Sequence, residues 1–221
     1  MQLNFDFMAK YLPLYIDAAK LTVEIAFWGI LFSLLTGIIC AMLRYYRVPI
    51  VHRIVAVYIE ISRNTPLLVQ LFFLYFGLPK IGIVLSAEVS AVIGIAFLGG
   101  SYMAESIRSG LESIDNAQLE SAASLGLNPW LTMKEVVLPQ AIAVSVPGIC
   151  ANVIFLIKET SVVSGIALAD LMYVTKDLIG LYYETDEALL MLVIAYLIIL
   201  LPISIAATLL ERRLRYAGFG N

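Results

Sequence analysis

Few side chains in this sequence could do chemistry, and most of them lie among apolar residues. Lys158 and Glu159 are adjacent in a stretch that is otherwise apolar from Pro147 to Leu168. Ionisable groups in such surroundings are costly, and they mark solute pathways or pairs that join helices. Neighbouring helical positions point about 100° apart, so these two pair only obliquely and each faces a cavity or another helix. Thr160, Ser161, Ser164 and Gly165 follow, small and polar, as found where helices pack closely or backbone lines a path. Two readings stay open for this cluster: pairing across a subunit interface, and a direct role in a translocation path. Glu60 and Arg63 form a second pair, three residues apart on one helical face and able to bond to each other. They are read either as a structural pair near a helix end or as part of a gate. Asn64-Thr65-Pro66 follows directly, and Pro66 should kink the helix by removing a backbone donor.

Other chemistries lack their residues. The single histidine, His52, lies between Arg47 and Arg53 and is read as interfacial; one histidine does not build a zinc site of the usual kind, and no metal is expected. An intramembrane serine hydrolase would need a serine and a histidine on facing spans, and His52 is read as lying in a loop, which argues against that class. Cys40 and Cys150 sit in apolar stretches without CxxC spacing and read as buried small hydrophobes. No GxxxxGK[ST] run is present, so the chain has no loop of its own to cradle nucleotide phosphates, and no directly bound cofactor is expected. A pI near 5.2 and a net charge of −3 argue against nucleic acid. The acidic group Asp170, Asp177, Glu184, Asp186 and Glu187 is read as solvated loop charge, with a preference for a cationic solute as the alternative.

The elements that must position these residues are set by composition. Of 221 residues, 61% are apolar and 14% charged, with a mean hydropathy of +0.92. A soluble domain carries roughly 25% charge. Soluble enzymes, disordered chains and disulfide scaffolds are thereby excluded. A membrane span needs about 20 mainly apolar residues. Charge-free runs predict an all-α integral membrane protein with about five transmembrane helices, at 15–44, 54–78, 85–107, 146–168 and 188–210. Pro139 and Pro147 interrupt the fourth run, which sets its expected start near Val146. The first run is not read as a cleaved signal peptide, because it lacks a basic n-region and is longer than the usual 7–15 apolar residues.

An odd number of spans puts the termini on opposite sides, and basic residues mark the cytoplasm. Arg44, Arg47, Arg53, Arg63, Arg108, Lys134, Arg212, Arg213 and Arg215 fall on one side, against Lys10, Lys20, Lys80 and Lys176 on the other. The N-terminus is expected outside and the C-terminus in the cytoplasm. The sizeable cytoplasmic loop, 108–145, predicts a helix from Asn116 to Leu127, ended by Gly126 and Asn128-Pro129, and a second short helix from Trp130 to Val137. Ala122 and its neighbours make a small-residue stripe. Such a helix is either a plain connector or a surface that another protein approaches closely.

Gln118-Leu119-Glu120-Ser121-Ala122-Ala123-Ser124-Leu125-Gly126, followed by Val136-Val137-Leu138-Pro139, resembles the "EAA…G…I-x-LP" loop in the membrane subunits of ABC-type importers. Ser121 replaces the first alanine and Val136 the isoleucine. The runs Glu60 to Gln70, Tyr102 to Arg108 and Leu156 to Ser161 are similar to signatures of polar amino-acid permeases, the histidine/glutamine/arginine permease family. The resemblance covers about 55–170. It implies a single permease domain over 1–221 with the type I ABC importer permease fold, a coupling loop at 108–145, and a function in ATP-driven amino-acid import. The chain is then not itself an enzyme. Its implied partners are a cytoplasmic ABC ATPase dimer that carries the ATP, a second permease copy or homologue, an extracytoplasmic substrate-binding protein, the amino acid and membrane lipid. Glu120, Ala122, Gly126, Leu138 and Pro139 are the expected ATPase-coupling residues. Glu60, Arg63, Pro66, Lys158, Glu159, Thr160 and Ser161 are the candidates for path or gate. An importer of another small solute and an ATP-independent channel are the competing readings.

Overall fold

The structure is a computed structural model; it describes residues 3–218, with side chains to 214, so the Arg215 side chain in the basic count lies outside the described residues. The described residues are helical with connecting turns. In chain order they form α1 (Phe5–Tyr45), α2 (Val51–Arg63), α3 (Leu67–Phe72), α4 (Ala87–Glu112), α5 (Asn116–Ser124), α6 (Pro129–Leu131), α7 (Leu138–Glu159), α8 (Leu171–Tyr182) and α9 (Thr185–Gly218). A π turn at Phe73–Gly77 and a 3-10 turn at Leu78–Ile81 extend α3.

Four helical runs are long and apolar enough to cross a membrane: Phe5–Tyr45, Ala87–Glu112, Pro129–Ile166 and Thr185–Leu214. They correspond to four of the five expected spans; α4 and α9 run a few residues past their expected ends, and two starts move further. α1 has 41 residues, about 60 Å at 1.5 Å per residue and twice the hydrocarbon thickness. Its start is set by an apolar stripe, with Phe7, Tyr15, Ala18, Thr22, Ile25 and Ala26 all buried at helical spacing, rather than by the charge-free run. The fourth run begins at Pro129, not near Val146, and Pro147 lies inside it.

The expected second span, 54–78, is two helices. α2 stops at Arg63, and the chain is extended at Pro66 (φ −59°, ψ 140°) before Leu67–Ile81 resumes as a shorter apolar run. Proline disfavours the helical region for the residue before it, here Thr65, so Pro66 breaks the helix where a kink was expected. Asn64 closes α2, donating from its side-chain amide to the Glu60 carbonyl at 2.8 Å.

The chain divides into two compact units. One holds the chain up to Leu31, Thr65–Ala96 and Ile154–Ile203; the other holds Phe32–Asn64, Phe97–Val153 and the chain from Ser204. In the first, Phe7, Tyr15 and Ala18 of α1 pack with Leu171, Val174 and Leu178 of α8 and Ala188, Met191 and Leu192 of α9. In the second, one cluster joins Ala41, Leu111, Met133, Val137 and Ala141, and another joins Cys40, Val55, Ile59 and Ala104. Cys40 and Cys150 are buried and free, as the sequence predicts.

Candidate functional site

Local bonds define the loop helix α5 at both ends. Asp115 is extended (φ −64°, ψ 137°), and its carboxylate accepts the Ala117 N–H at 3.0 Å. Gly126 ends the helix with φ +79°. Its N–H donates to the Ala123 carbonyl at 2.9 Å, and the Leu127 N–H to the Ala122 carbonyl at 3.1 Å. This bond pair requires a left-handed residue, the conformation that glycine adopts freely. A Cβ on Gly126 would meet nothing within 4 Å, so the requirement is one of backbone alone. Asn128 caps the next turn by accepting the Leu131 N–H at 2.9 Å.

The second short helix differs from the expectation, because it continues into a span. Pro129–Leu131 leads through a π turn at Thr132–Val137 directly into α7. Pro139 is tolerated there because the regular backbone ladder is already interrupted by that π turn. Leu138 and Pro139 are exposed at the start of the long helix.

Ala122 is 3% exposed, so in this chain its small side chain serves close packing within the protein itself. Leu119 of the same helix packs on the cluster of Leu111, Met133 and Val137. The large side chains turned outward are instead Leu125, 81% exposed, and Trp130, 71% exposed. Ala117, Ser121, Leu125, Leu127 and Val136 border a concavity of about 330 Å³, and Glu120 lies exposed on α5. Gln140 ties the loop to α7, its side-chain amide donating to the Gln118 side chain at 2.6 Å and to the Val136 carbonyl at 2.9 Å. The sequence places Leu125 in the apolar stripe with Ala122 but does not single out Trp130 or Gln140. The apolar type of Trp130 was a usable signal, whereas the contact of Gln140 with Gln118 spans 22 positions.

Glu60 and Arg63 share a face but take other partners. The Glu60 carboxylate accepts from the Asn64 side chain at 3.2 Å, and the Arg63 guanidinium lies 5.2 Å over the Tyr102 ring. A planar guanidinium suits that stacking. The expected ion pair between the two is therefore not formed among the described residues.

Lys158 is exposed and Glu159 half-buried at the end of α7, where the helix tightens to a 3-10 run at Thr160–Ile166. No ion pair joins them among the described residues, in keeping with their oblique placement. Thr160 is buried and donates to the Ile157 carbonyl at 2.7 Å. Ser164 donates to the Ser161 carbonyl at 2.9 Å and accepts from Lys176 at 3.0 Å. The half-buried Tyr196 of α9 lies beside Thr160 and Ser161. The structure thus adds Lys176 and Tyr196 to the hydroxyl cluster that the sequence singles out.

A family model described as binding-protein-dependent transport system inner membrane component matches residues 33–216. The probable amino-acid ABC transporter permease protein PatM of Vibrio harveyi is 38% identical over 175 residues, 78% of each chain. The glutamine transport system permease protein GlnP of Escherichia coli K12 is 31% identical over 217 residues, 97% of this chain and 99% of the other. Among solved structures, the crystal structure of an amino acid ABC transporter with histidines has a TM-score of 0.88 at 32% identity. The match covers 96% of this chain and all of that one. An inward-facing methionine ABC transporter, MetNI, shares the fold with a TM-score of 0.75 at 18% identity, over 93% of this chain and 98% of that one.

Proposed function

The chain belongs to the binding-protein-dependent transport system inner membrane components, and from that premise we propose how its own residues serve transport. It is a permease subunit of an ABC amino-acid importer, a multi-pass membrane protein, and is not itself the catalyst. The finer reading is that α5 and α6 present Leu125, Trp130 and the concavity that Leu125 borders with Ala117, Ser121 and Val136 to a separate ATPase that carries the ATP. Glu120 on the outer face of α5 and the exposed Leu138 and Pro139 complete that contact. Ala122 and Gly126 act from within, one by close packing and the other by the left-handed exit. The observation that carries this reading is the bond pair at Gly126, which holds α5 in a fixed shape before any partner arrives. Assembly is with an ATPase dimer, a second permease copy or homologue, and an extracytoplasmic substrate-binding protein. Lys158, Glu159, Thr160 and Ser161 line the amino-acid path, while Glu60, Arg63 and the break at Pro66 form a gate.

The N-terminus is outside and the C-terminus cytoplasmic, supported by the basic-residue count. Single cysteines at Lys80 and Glu184 are expected to label in intact cells, and one at Gln118 only after permeabilisation; the reverse pattern overturns the orientation. For the path, Glu159→Gln is expected to change uptake while assembly and basal hydrolysis persist. A variant that assembles and transports normally removes Glu159 from the path. The function as a whole is tested by purifying the chain with its ATPase and binding protein and measuring which amino acids stimulate ATP hydrolysis.

A further inference from the structure

The segment Tyr102 to Arg108 has no part in the reading above, yet it carries the densest charged network among the described residues. Both oxygens of the Glu105 carboxylate are engaged: Oε1 accepts from Arg44 at 2.6 Å, and Oε2 accepts from Arg108 at 2.7 Å. Arg108 also reaches Glu112, the last residue of α4. Glu105, Arg108 and Glu112 lie at spacings of three and four, so they share one face of α4 along about 10 Å. Beyond Glu112 only three residues remain before α5, the last of them its cap, Asp115. Arg44 stands in the last turn of α1.

Another face of α4 is fastened to α7. Asn152 donates to the Ser106 hydroxyl at 2.9 Å, and Ser145 donates to the Ile107 carbonyl at 3.5 Å. A Cβ on Gly148 would come within 2.8 Å of the Ser106 hydroxyl, and one on Gly110 would overlap Ser145 and the Ala141 carbonyl. Helices that approach this closely do not slide past each other without breaking contacts. α7 is in turn the helix into which α6 and the π turn run. The loop is therefore mounted on two helices zipped together, and Glu105 extends that mount to a third.

We propose that Glu105 is a positioning residue for energy coupling: it binds the ends of α1 and α4 so that displacement of α5 by its partner moves both helices with α7 as one body. The chemistry fits the task. Arg44, Glu105 and Arg108 are each about three-quarters buried at the side chain, so the contacts are charge-assisted and weakly screened. Without the carboxylate, Arg44 and α4 would move independently, and force delivered at the loop would dissipate there. The proposal rests on α5 being the ATPase contact.

The test uses the complete transporter in proteoliposomes, reading ATP hydrolysis and amino-acid uptake from the same vesicles. Glu105→Gln keeps the side-chain shape and removes the charge. Hydrolysis is expected to persist while uptake per ATP falls about tenfold, the scale of one lost charge-assisted hydrogen bond. Glu105→Asp should restore part of the coupling. Arg44→Gln should reproduce the part of the defect that comes from the α1 contact, and adding it to Glu105→Gln should change nothing further, since that contact is already lost. If Glu105→Gln does not assemble, Arg44→Gln reads the same contact from the α1 side. Unchanged uptake per ATP in both variants overturns the proposal, as does a fall of hydrolysis and uptake in equal proportion, which marks a merely structural role. Wild-type vesicles without amino-acid-dependent uptake would overturn the importer reading itself and the proposal with it.

Discussion

Tyr15 and Glu105 are the hubs of the two units, and they hold helices by different means. The Tyr15 hydroxyl donates to the Ala188 carbonyl at 2.8 Å and meets Thr175 at 2.9 Å, while Thr22 accepts the Leu171 N–H at 3.3 Å. These bonds are neutral, and they sit within a wholly apolar cluster. Glu105 instead joins two guanidiniums. The glycines differ in the same way. In the first unit, a Cβ on Gly94 would meet the tip of Leu71 at 2.7 Å, and one on Gly165 the tip of Leu68 at 2.5 Å. In the second, Gly37 faces the Ala104 backbone nitrogen at 3.0 Å and Gly110 faces the Ala141 carbonyl. Leucine tips can rotate away, but backbone cannot. Gly94 and Gly165 thus pack with some give, whereas Gly37 and Gly110 are held against backbone.

The largest effect should come from testing that difference directly. Gly110→Leu forces α4 from α7 against both Ser145 and the Ala141 carbonyl, at or above the top of the ~1–3 kcal/mol typical of overpacking. Gly94→Ala asks only that Leu71 change rotamer and should stay near the bottom of that range. Thermal aggregation in detergent should show Gly110→Leu failing to yield a monodisperse protein and Gly94→Ala close to wild type. Equal losses would erase that distinction.

Next in size is the exit from α5. Gly126→Val places a β-branched residue at φ +79°, a cost of about 1–2 kcal/mol for leaving the right-handed region. Gly126→Asn should recover much of this, since asparagine tolerates that conformation. Both leave the spans untouched, so membrane insertion should be normal and retention of the ATPase through purification should separate them. Equal retention by both would mean that the loop's shape is set by its partner rather than by Gly126. Ala122→Trp should act earlier, disturbing the loop's own packing, because Ala122 is buried within the chain.

What could be read from the sequence follows from how local each feature is. The α5 start and its glycine exit depend on residues a few positions apart, and both were legible; the interruption at Asn64-Thr65-Pro66 was legible only as a kink, not as the break it is. The length of α1 was legible too, in the stripe from Phe7 through Tyr15 and Thr22, but the expected span began only at 15, ten residues past the helix start at Phe5. α8 hid for a similar reason: Asp170, Lys176 and Asp177 read as loop charge, although Leu171, Val174 and Leu178 repeat at helical spacing. The Arg44–Glu105 contact joins positions 61 apart, and no local pattern announces it. Nor could spacing alone say which face of α5 is buried, because small residues serve close approach to either self or partner.

The smallest effect should come from Asp170, a carboxylate fully buried in the first unit. It caps α8, accepting the Tyr173 N–H at 2.9 Å and the Met172 N–H at 3.2 Å. Burial pushes its carboxyl up to about 6 from the ordinary 3.8, against the lowering effect of those two bonds. The folded protein therefore binds more protons at this site than the unfolded chain between pH about 4 and 6, so its contribution to stability falls as pH rises through that window and is level above it. Asp170→Asn keeps an accepting oxygen for the cap and has no charge to bury. It should remove this pH dependence and leave stability at pH 7.5 equal to or slightly above wild type. Asp170→Ala loses the cap and should cost ~1 kcal/mol, less any relief from no longer burying a carboxylate. Thermal midpoints in detergent at pH 5 and pH 7.5 distinguish the three chains. If Asp170→Asn retains the wild-type pH slope, the titration belongs to another group, and the first unit is not as dependent on neutrality as its hydroxyl bonds indicate.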